Sequence, residues 1–70
     1  HGELLLESFG ERVAERRIEL GPTQVELAAR CDLDRTYISG LENGRRNPTL
    51  VVLTRLAVGL DWKPDQLFSS

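Results

Sequence analysis

The apolar residues of this chain fall into five stretches with helical spacing, separated by short polar breaks. In the first, Leu4 to Leu20, a stripe of Leu6, Phe9, Val13 and Leu20 has Leu5 and Ile18 beside it, which predicts an amphipathic helix. Gly10 lies inside that stretch and weakens it by about 1 kcal/mol relative to alanine. Gly21-Pro22 ends it. Thr23 opens the second helix, and Glu26 three positions on completes a capping box, in which hydroxyl and carboxylate satisfy each other's orphaned backbone donors. Val25, Leu27, Ala28 and Cys31 form its apolar stripe. The run Cys31-Asp32-Leu33-Asp34 breaks the period. Asp34 suits the N-cap of a third helix, with Ile38 and Leu41 facing inward and Asn43-Gly44 as its stop. Pro48-Thr49 starts a fourth, Leu50 to Gly59, whose inner face is Leu50, Leu53, Leu56, Ala57 and Leu60. Val51, Val52 and Val58 leave it little purely polar surface. Pro64 suits the first turn of a short fifth helix, Pro64 to Phe68, where Leu67 and Phe68 close the core. Trp62 either joins that core or lies partly exposed at a dimer seam with Leu67 and Phe68.

The second and third helices are too short to fold alone, but they can present the outer face of the third as a rigid reading head. Arg35, Thr36, Ser39 and Gly40 form one stripe there, spaced i, i+1, i+4 and i+5. All are small, polar or cationic, and a helix of this kind fits the major groove of B-form DNA. Arg35 can make two parallel bonds to guanine, a contact that discriminates by about 1–3 kcal/mol; it can also hold a phosphate or pair with Asp32. Thr36 can offer its methyl to thymine or its hydroxyl to a base or phosphate, and Ser39 can act in the same way. Gly40 costs the helix about 1 kcal/mol against alanine. Either it lets the helix backbone lie close to the groove floor, or it marks a position that tolerates drift.

Gln24, Leu27-Ala28, Ile38-Ser39, Leu41-Glu42-Asn43-Gly44 and Arg45-Arg46-Asn47-Pro48 together resemble the Cro/lambda-repressor-type helix-turn-helix regulators, a family that includes phage repressors and restriction–modification controller proteins. The resemblance runs from about Phe9 to Phe68. It implies an all-α, compact five-helix DNA-binding domain with the helix-turn-helix at helices 2 and 3, and an ion pair between Arg17 and Glu42 that fixes the angle of the reading helix. It also implies that Gln24, with the free amides of its helix N-terminus, holds a backbone phosphate, as such a terminus can. Arg45 and Arg46 would flank the groove on phosphates. Tyr37 can send its hydroxyl to a phosphate or pack against the fourth helix, and Asn43 and Asn47 are expected to shape the turn through side-chain-to-backbone bonds. Asp32 and Asp61 depart from the pattern, since the family usually has glycine there. Asp can take the left-handed conformation, at some cost.

Composition narrows the picture. Seventy residues allow one domain and one small core, and a chain this short buries only about 60% of its unfolded surface. A single domain over 1–70 is expected, with its core at about 5–68 and residues 1–4 a loose or tag-derived terminus. One cysteine and one histidine, His1, leave no disulfide and no Cys/His metal site within a chain. Cys31 reads as a small buried hydrophobe, with a redox sensor as the alternative. No apolar run is long enough to cross a membrane and no signal peptide is visible, so a cytoplasmic protein without cofactor is expected. The net charge of -2 and pI near 5.3 are unusual for a nucleic-acid binder. However, five of the eleven acids (Glu3, Glu7, Glu11, Glu15, Glu19) recur every four residues on the first helix, where they can pair with Arg12, Arg16 and Arg17. The loop after the third helix is purely basic. An acidic sum lowers non-specific affinity and leaves more of the binding to specific contacts. The function expected is sequence-specific transcriptional regulation, a homodimer placing its 34–43 helices in successive major grooves of a palindromic double-stranded operator. Alternatives are the DNA-binding part of a larger regulator and an antitoxin-like protein-interaction module. An enzyme is a poor fit, because His1 is terminal and Cys31 has no base near it in sequence.

Overall fold

A computed structural model of the chain describes residues 2–63, which form four α-helices and no strand: α1 Gly2–Leu20, α2 Gln24–Cys31, α3 Arg35–Glu42 and α4 Leu50–Gly59. The helix expected at Pro64 to Phe68, with Leu67 and Phe68, lies outside the described residues. α1 begins at Gly2, ahead of the expected start at Leu4. α3 packs against α1 and α2, and α2 against α4.

One core joins all four helices. Val13, Leu27, Ala28, Cys31, Ile38, Leu41, Leu56 and Leu60 are buried in it, with Phe9, Leu33, Tyr37, Val52, Leu53 and Trp62 packed around them half-buried. Full burial of each large aliphatic side chain stabilises the fold by about 1.5–3 kcal/mol. Several residues expected on inner faces are exposed instead: Ile18 (68%), Val25 (61%) and Leu50 (76%), together with Leu5 and Leu20. Each helix meets the core along a narrow seam, and these residues miss it. At about 100° per residue, Ile18 lies roughly 140° round α1 from Val13, and Leu5 roughly 80°. Leu20 and Leu50 are terminal residues of their helices and fall past the ends of the core.

Three of the four helices stop in the same way. Asp32, Gly44 and Asp61 take positive φ of 55°, 73° and 52°. In each case the next amide reaches back across six residues: Leu33 to Ala28 at 2.8 Å, Arg45 to Gly40 at 2.8 Å and Trp62 to Ala57 at 2.8 Å. These are Schellman motifs, which satisfy carbonyls that a helix end would otherwise orphan. Asp32 and Asp61 adopt the left-handed backbone expected of them. Arg16 finishes the α4 stop by donating to the carbonyls of Leu60 (2.9 Å) and Asp61 (3.2 Å), while pairing with Glu19 at 2.7 Å. Trp62 is folded back onto α1, 6.5 Å from the Phe9 ring centre and under the Arg12 guanidinium at 5.2 Å.

Gly10 is the point where α1 crosses α3. A Cβ added there would overlap the Leu41 carbonyl oxygen and sit 2.8 Å from that of Glu42. A residue that weakens α1 as an isolated helix is therefore what lets α1 reach the end of α3.

Candidate nucleic-acid interface

Two devices hold the elements around α3, one at the start of α2 and one at the end of α3. At the start of α2 the capping box is complete: Glu26 N–H donates to the Thr23 hydroxyl at 3.1 Å, and Thr23 N–H to the Glu26 carboxylate at 2.8 Å. That backbone bond holds the Glu26 carboxyl below its ordinary pKa. At the end of α3, Arg17 grips Glu42 with two bonds, Nε to Oε2 at 2.7 Å and Nη2 to Oε1 at 3.1 Å, and donates a third to the Pro22 carbonyl at 3.2 Å. Both partners are withdrawn from water, their side chains 15% and 6% exposed. The bond to Glu42 raises the Arg17 pKa above the ordinary arginine value, against an opposing effect of burial.

Glu42 has a further partner that sequence spacing did not reveal. Gln24 Nε2 donates to its Oε1 at 3.0 Å. One carboxylate thus ties together the end of α1, the start of α2 and the end of α3. The Gln24 amide, expected on a phosphate, spends this donor inside the protein.

The stripe expected to read DNA is assembled on one side of the molecule. Arg35, Thr36, Ser39, Gly40, Asn43, Arg45 and Arg46 line a single shallow groove. Arg35, Thr36, Arg45 and Arg46 are exposed, while Ser39 and Gly40 are half-buried. Among the described residues no acid lines this groove; Glu7, Glu11 and Glu42 line a neighbouring concavity that shares Asn43 with it. The acidic net charge and the basic groove therefore occupy different surfaces. Asn43 Nδ2 donates to the Ser39 carbonyl at 2.8 Å, which fixes the turn as expected; Asn47 makes no such bond among the described residues.

Other local expectations change. Asp34 occupies the N-cap of α3, but its side chain accepts no bond there. Asp32 forms no ion pair with Arg35 among the described residues; its carbonyl instead accepts from Arg55 at 3.4 Å. Arg35 is thus not tied up by that acid. The Tyr37 ring packs on the core, and its outer face carries the Arg46 guanidinium 5.5 Å from the ring centre. Cys31 is buried in the core, as expected of a small hydrophobe, and desolvation pushes its thiol pKa up. Among the described residues no group of acids, histidines or cysteines is arranged to hold a metal ion, and no helix is long and apolar enough to cross a membrane.

Comparison with known proteins adds independent support. A helix-turn-helix family model matches residues 13–67. The control protein C.MunI from a Mycoplasma species is 44% identical over 62 residues, covering 87% of this chain and 84% of that protein. The crystal structure of the restriction–modification controller protein C.AhdI from Aeromonas hydrophila superposes with a TM-score of 0.86 at 44% identity, covering 90% of this chain and 96% of that one. A second structure, 39% identical with a TM-score of 0.83 and covering 91% and 84% of the two chains, is that of the controller protein C.Esp1396I as a tetramer on its natural 35-base-pair operator.

Proposed function

The chain belongs to the helix-turn-helix family of transcriptional regulators, and we propose that it binds a two-fold-symmetric DNA operator as a homodimer, with α3 in the major groove. The observation that carries this reading is the groove on α3, lined among the described residues by three arginines, two hydroxyls and no acid. Arg35, at the first turn of α3, reaches a base edge, most naturally guanine O6 and N7. Thr36 and Ser39 supply the smaller contacts. Arg45 and Arg46 neutralise phosphates beside the groove, and the α2 N-terminus meets another, with Gln24 held beside it by Glu42. One α3 covers only a few base pairs, so a second copy is needed for a specific site; a related controller protein is tetrameric on its operator.

The test is selection of bound duplexes from a random library at a stated salt concentration. A two-fold-symmetric motif, with half-sites about one helical turn apart, is expected. Arg35→Ala should relax preference at one position of each half-site. Arg45→Ala should weaken all sites alike and lower the salt slope by about 1 per subunit. A folded protein that recovers no motif would refute the reading and turn attention to a protein partner.

A further inference from the structure

We infer that Gly40 is a positioning residue for Arg46: lacking a side chain, it forms a trough in α3 across which Arg46 lies. The inference rests on the DNA-binding reading and assigns the means by which one of its cations is presented. After Gly44 turns left-handed at φ +73°, the Arg45 amide bonds back to the Gly40 carbonyl at 2.8 Å. The chain therefore doubles back over α3, and the next side chain must cross residue 40. A Cβ at that position would lie 3.1 Å from both Cγ and Nε of Arg46, with Cδ at 3.6 Å. Beyond the trough the guanidinium rests on Tyr37, one helical turn before Gly40, at 5.5 Å from the ring centre. A stack between an exposed arginine and a tyrosine is weak by itself. The trough and the turn together bring Arg46 onto the face of α3 that carries Arg35 and Thr36. In the free protein this side chain lies over Gly40, and a close approach of the helix backbone to DNA is the rival reading that the test separates.

The seat is tested with Gly40→Ala, Gly40→Leu, Arg46→Ala and the Gly40→Ala/Arg46→Ala double variant, on the operator selected above and at fixed salt. Loss of one charge-assisted phosphate contact in Arg46→Ala should weaken binding about tenfold. Gly40→Ala should weaken it less and Gly40→Leu more, although alanine improves the helix. With Arg46 already truncated, Gly40→Ala should change affinity by less than about twofold and by less than it does in the wild-type background, which is the coupling expected of residues in contact. An equal loss in both backgrounds would mean that DNA meets Gly40 directly and would overturn the seat; so would an unaltered affinity of Gly40→Ala. Proton NMR of the free protein gives a readout without DNA. The Arg46 side-chain protons next to the Tyr37 ring should show upfield shifts that diminish in Gly40→Ala and again in Gly40→Leu. Unchanged shifts would also overturn the inference. If the wild-type protein selects no duplex, the functional reading fails and the NMR comparison decides the seat by itself.

Discussion

Gly10 and Gly40 are both glycines inside helices, and helix propensity values them alike. Replacement by alanine should stabilise each by about 1 kcal/mol if propensity alone governs. Their surroundings give opposite signs. At Gly10 the new methyl would overlap the Leu41 carbonyl oxygen and lie 2.8 Å from that of Glu42. Both obstacles are backbone and cannot rotate away, so α1 must move off α3. Overpacking of this kind costs about 1–3 kcal/mol, and rigid backbone on the far side puts Gly10→Ala at the upper end. After subtracting the propensity gain, a net loss of about 2 kcal/mol remains. At Gly40 the nearest obstacle is the exposed Arg46 side chain, which can lift away, so Gly40→Ala should keep most of its gain. For a domain of this size 1 kcal/mol moves Tm by about 4–8 °C. Gly10→Ala should therefore melt about 8–16 °C below the wild type, and Gly40→Ala a few degrees above it. Melting by circular dichroism at one protein concentration checks both, since association would make Tm concentration-dependent. Shifts of the same sign in the two variants would refute the reasoning: two gains would mean that propensity outweighs the α1–α3 crossing, and two losses that Arg46 does not yield to a methyl at position 40.

Arg17→Ala leaves the Glu42 carboxylate withdrawn from water with, among the described residues, Gln24 alone donating to it, and should cost about 3 kcal/mol, the lower end for breaking a buried pair. A urea midpoint unchanged from wild type would show the pair to be dispensable. Glu26 has a folded pKa below its unfolded one, so its charge contributes stability that is present above about pH 4.3 and fades as pH falls through the lower, folded value. Glu26→Gln keeps an acceptor but no charge. Its Tm deficit at pH 7 should therefore shrink by pH 3, and a constant deficit would exclude this role. Cys31 is buried with its thiol pKa raised, so alkylation at pH 8 should be slow in the native protein and fast in urea. Equal rates would mean that the α2–α4 seam opens readily.

What could be read from the sequence was mostly what is local to it. The Thr23–Glu26 box, the left-handed turns at Asp32 and Gly44, and the bond from Asn43 to its own helix each depend on residues within about one turn. The α3 stripe was legible for the same reason, since helical geometry alone puts Arg35, Thr36, Ser39 and Gly40 on one face. Arg17 and Glu42 came from the family pattern, as no spacing could pair residues on different helices. Exposure of Ile18, Val25 and Leu50 was illegible because a stripe says that a helix has an inner side, not how narrow its seam will be. Gly10 was misjudged for a related reason: propensity describes a helix in isolation, while its carbonyl neighbours belong to α3.

The remaining gap lies at the groove itself. Arg46 was expected beside the reading helix as one of two equivalent loop cations. A Schellman turn distinguishes the two: its six-residue return bonds Arg45 to Gly40 through the backbone, which leaves Arg46 to cross the helix. Likewise Glu42 binds Arg17 and Gln24 at once, so the residue that orients α3 also orients the start of α2. If α3 is the reading helix, its placement depends on Gly10, Arg17 and Glu42, which lie at the α1–α3 contact and do not line the groove. Substitutions at those three positions should then change operator affinity through the angle of α3, without removing any group that touches DNA.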